Sequence, residues 1–344
     1  MTDLSCKYLG LALKNPIIVG SSGLTSSIEN IKTISKLGAG AVILKSIFEE
    51  QIRFESDSFL QSGDPAMKTW HEAFQGIVDK DESYYDEAFE YLTNYSKEHA
   101  LKHYLSLISE AKAAVDIPVI ASINCSTQND WQYFAHRIQE AGADALELNV
   151  YLLPSDFEKS GNDNEEVYFD IIREVRKYVS IPVSLKIGFY FSGLARTVLR
   201  LSESGISGLT LFNRPYNPDI NIDRQEISSS NLLSSDAEYS HSLRWVAILA
   251  GRLKCDIAAS TGIHNHETVI KQLLAGADAV QMVSVFYRHH FDVLPQILRG
   301  LETWMEKHNY SGISDFKGLL SQKNIHNPAA YERVQFLRLY SSLE

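Results

Sequence analysis

Short apolar runs recur along this chain, and nearly every one ends in a polar side chain. Ser21 and Ser22 follow the first run, Lys45 and Ser46 the second, and Asn124 the third. Asn149, Lys186, Asn213, Thr261 and Ser284 close the other five. One such residue would mean little, because a Ser or Asn at a strand end often just satisfies a neighbouring backbone group. Eight together point to a shared ligand site. Lys186 is the most informative. It stands in Val183-Ser-Leu-Lys-Ile, a run with no other charge, and a buried ammonium requires an anionic or electron-rich partner. An isoalloxazine ring is such a partner: its reduced form carries negative charge around N1 and O2, which a nearby ammonium stabilises. Lys45 invites the same argument. The alternative is a lysine that snorkels past the strand end into solvent.

Thr261-Gly262 after the seventh run and Ser284 after the eighth suit a phosphate, through backbone N–H groups and hydroxyls. Ordinary turn chemistry is the competing account. His264, His266 and the pair His289-His290 have no Cys or carboxylate at ligand spacing, so no metal site is expected. Cys125, next to Asn124, is either a small buried hydrophobe or a rim thiol with chemistry. Three cysteines in all make neither a disulfide framework nor a zinc cluster.

The elements that must hold these groups repeat. Strand candidates are Asn15–Ser22, Ala41–Ser46, Pro118–Asn124, Ala145–Val150, Pro182–Ile187, Gly208–Asn213, Ile257–Thr261 and Ala279–Ser284. Each is followed by a helix-length segment, so the fold class is α/β, a closed (β/α)8 barrel, with a doubly wound open sheet as the alternative. Leu37-Gly-Ala-Gly, Ala141-Gly-Ala-Asp, Ser204-Gly-Ile-Ser and Ala275-Gly-Ala-Asp read as helix C-caps leading into strands. In such barrels the C-terminal rim collects binding and catalytic groups.

Two stretches interrupt the rhythm of what is otherwise one barrel domain over 1–344. Residues 47–97, after the second strand, are rich in aromatics and acids and read as a lid or insertion subdomain. Its run Tyr84–Tyr95 reads as packing within that insertion. Residues 214–240 form a long loop after the sixth strand, and the tail from Ser311 reads as extra helix.

The chain has 344 residues, 44% hydrophobic and 22% charged, with a formal charge of -11. This is globular composition. Without a basic block, nucleic acid and anionic membranes are poor partners. No window approaches the roughly 18 apolar residues of a membrane span. The first residues lack a signal-peptide pattern, so a reducing, cytoplasmic setting is expected.

Taken in order, these residues resemble the dihydroorotate dehydrogenase family, in particular its soluble class 1 FMN barrels. The resemblance runs roughly from Leu4 to Leu320. It rests on Asn15-Pro-Ile-Ile-Val-Gly-Ser-Ser, Leu44-Lys-Ser, Glu147-Leu-Asn, Leu185-Lys, Asn213, Ser260-Thr-Gly-Ile and Gln281-Met-Val-Ser. It implies a (β/α)8 barrel, FMN, hydride transfer between the flavin and a dihydroorotate-like CH–CH substrate of pyrimidine biosynthesis, and a homodimer. By position it implies flavin contacts at Gly20, Ser21, Lys45, Ser46, Asn124, Asn149 and Lys186, and phosphate contacts at Thr261, Gly262 and Ser284. Substrate contacts would fall to Lys45, Asn149 and Asn213.

The chain also departs from the family. Ala259, Thr261 and Val283 stand where the family has glycines near the phosphate, and Arg214 replaces a Ser or Thr. Leu152 falls at the position of the catalytic Cys or Ser base, and leucine accepts no proton. The Asn-rich substrate loop after the second strand is replaced by the insertion. Tyr151, Ser155 and Cys125 are the substitutes the sequence offers. Other readings are a divergent FMN-binding paralogue with a different substrate or none, and a barrel lyase using Lys186 or Lys45 as a Schiff base.

Overall fold

The computed structural model describes residues 2–48, 101–124, 131–215, 217–229 and 232–332. The chain opens with a hairpin, β1 (Cys6–Tyr8) and β2 (Leu11–Leu13). Leu9 and Gly10, both at positive φ (56° and 76°), form its two-residue turn. Next come β3 (Ile17–Val19), β4 (Ala41–Ile43), a two-residue β5 (Ile47–Phe48) and β6 (Val119–Asn124). They are followed by β7 (Ala145–Asn149), β8 (Val183–Ile187) and β9 (Gly208–Leu211). A second hairpin, β10 (Pro218–Asn221) with β11 (Glu226–Ser229), precedes β12 (Asp256–Ser260) and β13 (Ala279–Met282).

Eight of these strands pair in parallel in the order β4-β3-β13-β12-β9-β8-β7-β6, and β6 pairs again with β4. That last pairing closes the ring, which excludes the open sheet and makes the fold a (β/α)8 barrel. Helices between the strands cover its outside. Those at Ile28–Lys36, 101–114 and Trp131–Glu140 precede β4, β6 and β7, and Gly161–Arg176 precedes β8. The four expected C-cap glycines, Gly38, Gly142, Gly205 and Gly276, all have φ between 91° and 114°, the left-handed conformation the caps require.

Alternate strand residues face inward and fill the barrel in layers. At the N-terminal end Tyr8, Leu9 and Leu13 pack with Ile18, Ile43 and Ile120. The first hairpin therefore plugs the barrel floor. A side chain at Gly208 would collide with Leu9, so this glycine is required by the plug. The layer above is polar: Ser122, Glu147, Ser184, Thr210 and Gln281 are all buried. Lys186 and Asn149 sit one register step higher, nearer the mouth.

One of the two interruptions differs from its sequence reading. The stretch after the sixth barrel strand is not wholly a loop, since it carries the β10–β11 hairpin. Of the 47–97 insertion only Ile47 and Phe48 are described, pairing with Ile123 and Asn124; the rest lies outside the described residues. The expected tail helix is corrected up to residue 332, where the chain makes only short 3-10 turns at Ile313–Asp315 and Pro328–Ala330. Its backbone N–H groups bond elsewhere: Gly318 and Leu320 donate to Leu273 and Leu274, and Gln322 to Ala247. Donors spent on neighbouring helices cannot build a helical ladder.

Candidate active site

The rim residues converge on one polar chain. The Ser46 backbone N–H donates to Ser21 Oγ at 2.9 Å, and the two hydroxyls lie 3.0 Å apart. Ser46 Oγ is 2.7 Å from Ser122 Oγ and accepts a long bond from Asn149 Nδ2 at 3.5 Å. Asn213 Nδ2 then donates to Asn149 Oδ1 at 2.6 Å. Groups from β3, β4, β6, β7 and β9 are thus joined across the C-terminal mouth. Lys45 is half-buried beside Ser46, and Asn124 is half-buried at the end of β6.

Lys186, on β8, is only 8% exposed, so it does not snorkel into solvent. Its Nζ donates to Gln281 Oε1 at 3.2 Å and lies 3.9 Å from Glu147 Oε1. The barrel itself thus supplies an anion for this cation. The sequence reading gave Lys186 no protein partner and assigned no role to Glu147 or Gln281. The signal was present: Glu147 is the one charged residue of the strand Ala145-Leu-Glu-Leu-Asn.

Thr261, Gly262 and Ser284 come together at the ends of β12 and β13, joined by Ser234 from the preceding loop. The Ser234 N–H donates to Ser284 Oγ at 3.0 Å, and Gly262 N–H donates to Ser234 Oγ at 3.3 Å. His264 Nε2 lies 3.1 Å from the same Ser234 hydroxyl, and burial holds its imidazole pKa below the ordinary value. Thr261 spends its hydroxyl on the Phe212 carbonyl at 3.2 Å, leaving only its backbone for an anion. Gly20 packs so tightly that a Cβ there would come 2.9 Å from Val283 Cγ2. Arg214 is turned aside, donating to Glu238 Oε2 at 3.1 Å and the Leu232 carbonyl at 3.0 Å.

Leu152 packs against the core, and the Tyr168 hydroxyl bonds to its backbone. Ser155 is exposed, its N–H bonded to the Leu153 carbonyl, and none of its described contacts reaches the rim cluster. Cys125 lies outside the described residues. Tyr151 is the placed candidate: its ring lies against Gly188, just past the end of β8, and edge-on to Tyr190 at 6.3 Å. Burial and the hydrogen bond with Tyr190 push its phenol up to about 12.

The sequence profile of the dihydroorotate dehydrogenase family matches residues 88–305. The chain belongs to that family. Dihydroorotate dehydrogenase family members are flavin-dependent oxidoreductases acting on CH–CH bonds with FMN as cofactor, and the chain is one of them. It is similar to the catalytic subunit of dihydroorotate dehydrogenase B (NAD(+)) of Thermoplasma volcanium, 24% identical over 93% of this chain and 99% of the relative. The corresponding subunits of Pyrococcus abyssi and Listeria monocytogenes are 26% and 23% identical, each over 92% of this chain and 98% of their own length.

The residues present fit the family cofactor. Among the described residues the Lys186 ammonium makes one hydrogen bond, to Gln281 Oε1, and has three donors, so donors remain that would suit the electron-rich edge of a flavin. At the ends of β12 and β13, Gly262, Ser234 and Ser284 lie within hydrogen-bond reach of one another, and backbone N–H and hydroxyl groups so gathered are of the kind that bind a phosphate.

Proposed function

We propose that the chain is an FMN-dependent oxidoreductase of pyrimidine biosynthesis whose substrate is dihydroorotate or a closely related small ring with amide groups and a CH–CH or C=C bond. The observation that carries this reading is the nearly buried Lys186 at the same strand level as Asn149, whose amide is joined to that of Asn213.

FMN supplies the hydride acceptor or donor. The chain's own residues do the rest. Lys186 and Lys45 hold positive charge where the reduced ring is anionic. Asn149 and Asn213 present amide donors and acceptors that orient a ring carrying amides of its own. Gly20, Ser21, Ser46 and Asn124 would frame the flavin edge, and the backbone of Thr261 and Gly262 with the Ser284 hydroxyl would hold the phosphate. Tyr151 carries the proton. Oxidising the CH–CH bond requires Tyr151 to take the proton as phenolate and the reverse reduction to return it as phenol; a phenol near pKa 12 stays mostly protonated at neutral pH, so the oxidative direction should speed up as pH rises. The homodimer implied by the resemblance belongs to the same proposal and is read by sedimentation.

The test is direct. Purified protein is expected to be yellow and to release FMN on denaturation, and anaerobic dihydroorotate is expected to bleach the flavin band. Protein that takes up no FMN ends the reading. FMN binding without bleaching favours a second one, a paralogue with another substrate, for which the core-packed Leu152 at the family's base position speaks.

A further inference from the structure

The layer beneath Lys186 is a closed polar network. Glu147 is fully buried, and its Oε2 accepts from Gln281 Nε2 at 2.6 Å and from Thr210 Oγ1 at 3.0 Å. Gln281 Nε2 also donates to Thr210 Oγ1 at 2.9 Å, while the other end of the same amide accepts from Lys186 Nζ. Two atoms of the layer lack a partner among the described residues, Ser184 Oγ and Glu147 Oε1. The Glu147 oxygen is the one that lies 3.9 Å from the ammonium. Strand register fixes the arrangement: Asn149 pairs with Lys186 and Glu147 with Ser184. The carboxylate therefore lies one layer below the cation, on the side away from the mouth.

A buried carboxylate with an unsatisfied oxygen is a poor stabilising device, since desolvation outweighs what such a pair returns. Its placement makes sense if the charge acts on something above it. We propose that Glu147 is a positioning residue that sets the flavin's reduction potential through Lys186. Its carboxylate, clamped by Gln281 and Thr210, anchors the ammonium from below, fixing its place in the barrel, and offsets part of its positive charge. The inference rests on the reading that Lys186 faces the flavin. Reduction adds negative charge to the ring, so Lys186 favours the reduced form and Glu147 opposes it. The two charges must pull in opposite directions.

The experiment compares Glu147→Gln and Lys186→Met with the wild type, each reconstituted with FMN, its potential read against reference dyes during slow anaerobic reduction. Glu147→Gln keeps the acceptor for Gln281 and Thr210 and removes only the charge. It is expected to raise the ratio of reduced-to-oxidised FMN affinity by roughly tenfold, about 30 mV for a two-electron couple. Lys186→Met is expected to lower that ratio. A merely structural role would move both variants the same way, toward free FMN, and that result overturns the proposal. So does a Glu147→Gln ratio within about threefold of wild type, the fold-change scale being that of the same couple. If Glu147→Gln does not fold, Glu147→Asp is read instead: it keeps the charge but draws it back toward its strand, and a smaller rise is expected. An unchanged or lowered ratio there also overturns the proposal. Failure of the underlying reading looks different, because Lys186→Met would then hold FMN at the wild-type potential.

Discussion

Deleting the Lys186 ammonium from the FMN-free protein should unbalance the barrel interior by a calculable amount. Glu147 has no exposed surface, its Oε1 has no hydrogen-bond donor among the described residues, and Lys186 Nζ stands 3.9 Å away. Removing one partner of a buried ion pair costs about 3–5 kcal/mol, because it leaves an uncompensated charge. The bonds from Gln281 and Thr210 to Oε2 survive the substitution, which places Lys186→Met at the lower end, about 3 kcal/mol. Adding Glu147→Gln removes the stranded charge, and the double variant should sit within about 1 kcal/mol of wild type. Glu147→Gln alone should cost about 1 kcal/mol, since Lys186 keeps its bond to Gln281, so the coupling between the two sites is about 3 kcal/mol, at the upper end of the range for residues sharing a network. Urea unfolding of the four proteins at pH 7, extrapolated to water, measures it. A Lys186→Met variant as stable as wild type, or a double variant whose loss equals the sum of the singles, refutes the argument.

The remaining expectations concern the floor, the loop and the proton carrier. Leu9→Ala removes a side chain 2% exposed from the barrel plug and should cost about 2–5 kcal/mol in urea unfolding. His264 is held below its ordinary pKa, first by burial. The stability it contributes is therefore complete above the unfolded value of 6.5 and is lost as pH falls through the lower folded value. Thermal melts between pH 8 and 5 should show that loss, and His264→Gln should flatten it. Tyr151→Phe should leave FMN binding unchanged and slow turnover by roughly 10²-fold or more, the scale of general acid–base help. An unchanged kcat would remove Tyr151 from the mechanism.

The sequence by itself determined the repeating strand–helix unit, the cap glycines and the set of polar strand ends, because these depend on local periodicity and on backbone conformations that particular residues favour. Through the resemblance it also raised the expectation that Leu152 stands at the family's base position. Whether the sheet closed was beyond it, since only the pairing of β6 with β4 decides closure and periodicity is the same in an open sheet. The tail was misread for a related reason: its backbone donors go to the carbonyls of Leu273, Leu274 and Ala247, partners no local pattern reveals. The partner of Lys186 shows the limit most clearly. Glu147 and Gln281 are 134 residues apart and stand on strands that are not neighbours, so their amide–carboxylate contact crosses the barrel interior. Such a contact exists only once all eight strands are in register, and that is why the tertiary structure alone supplied the anion beneath the cation.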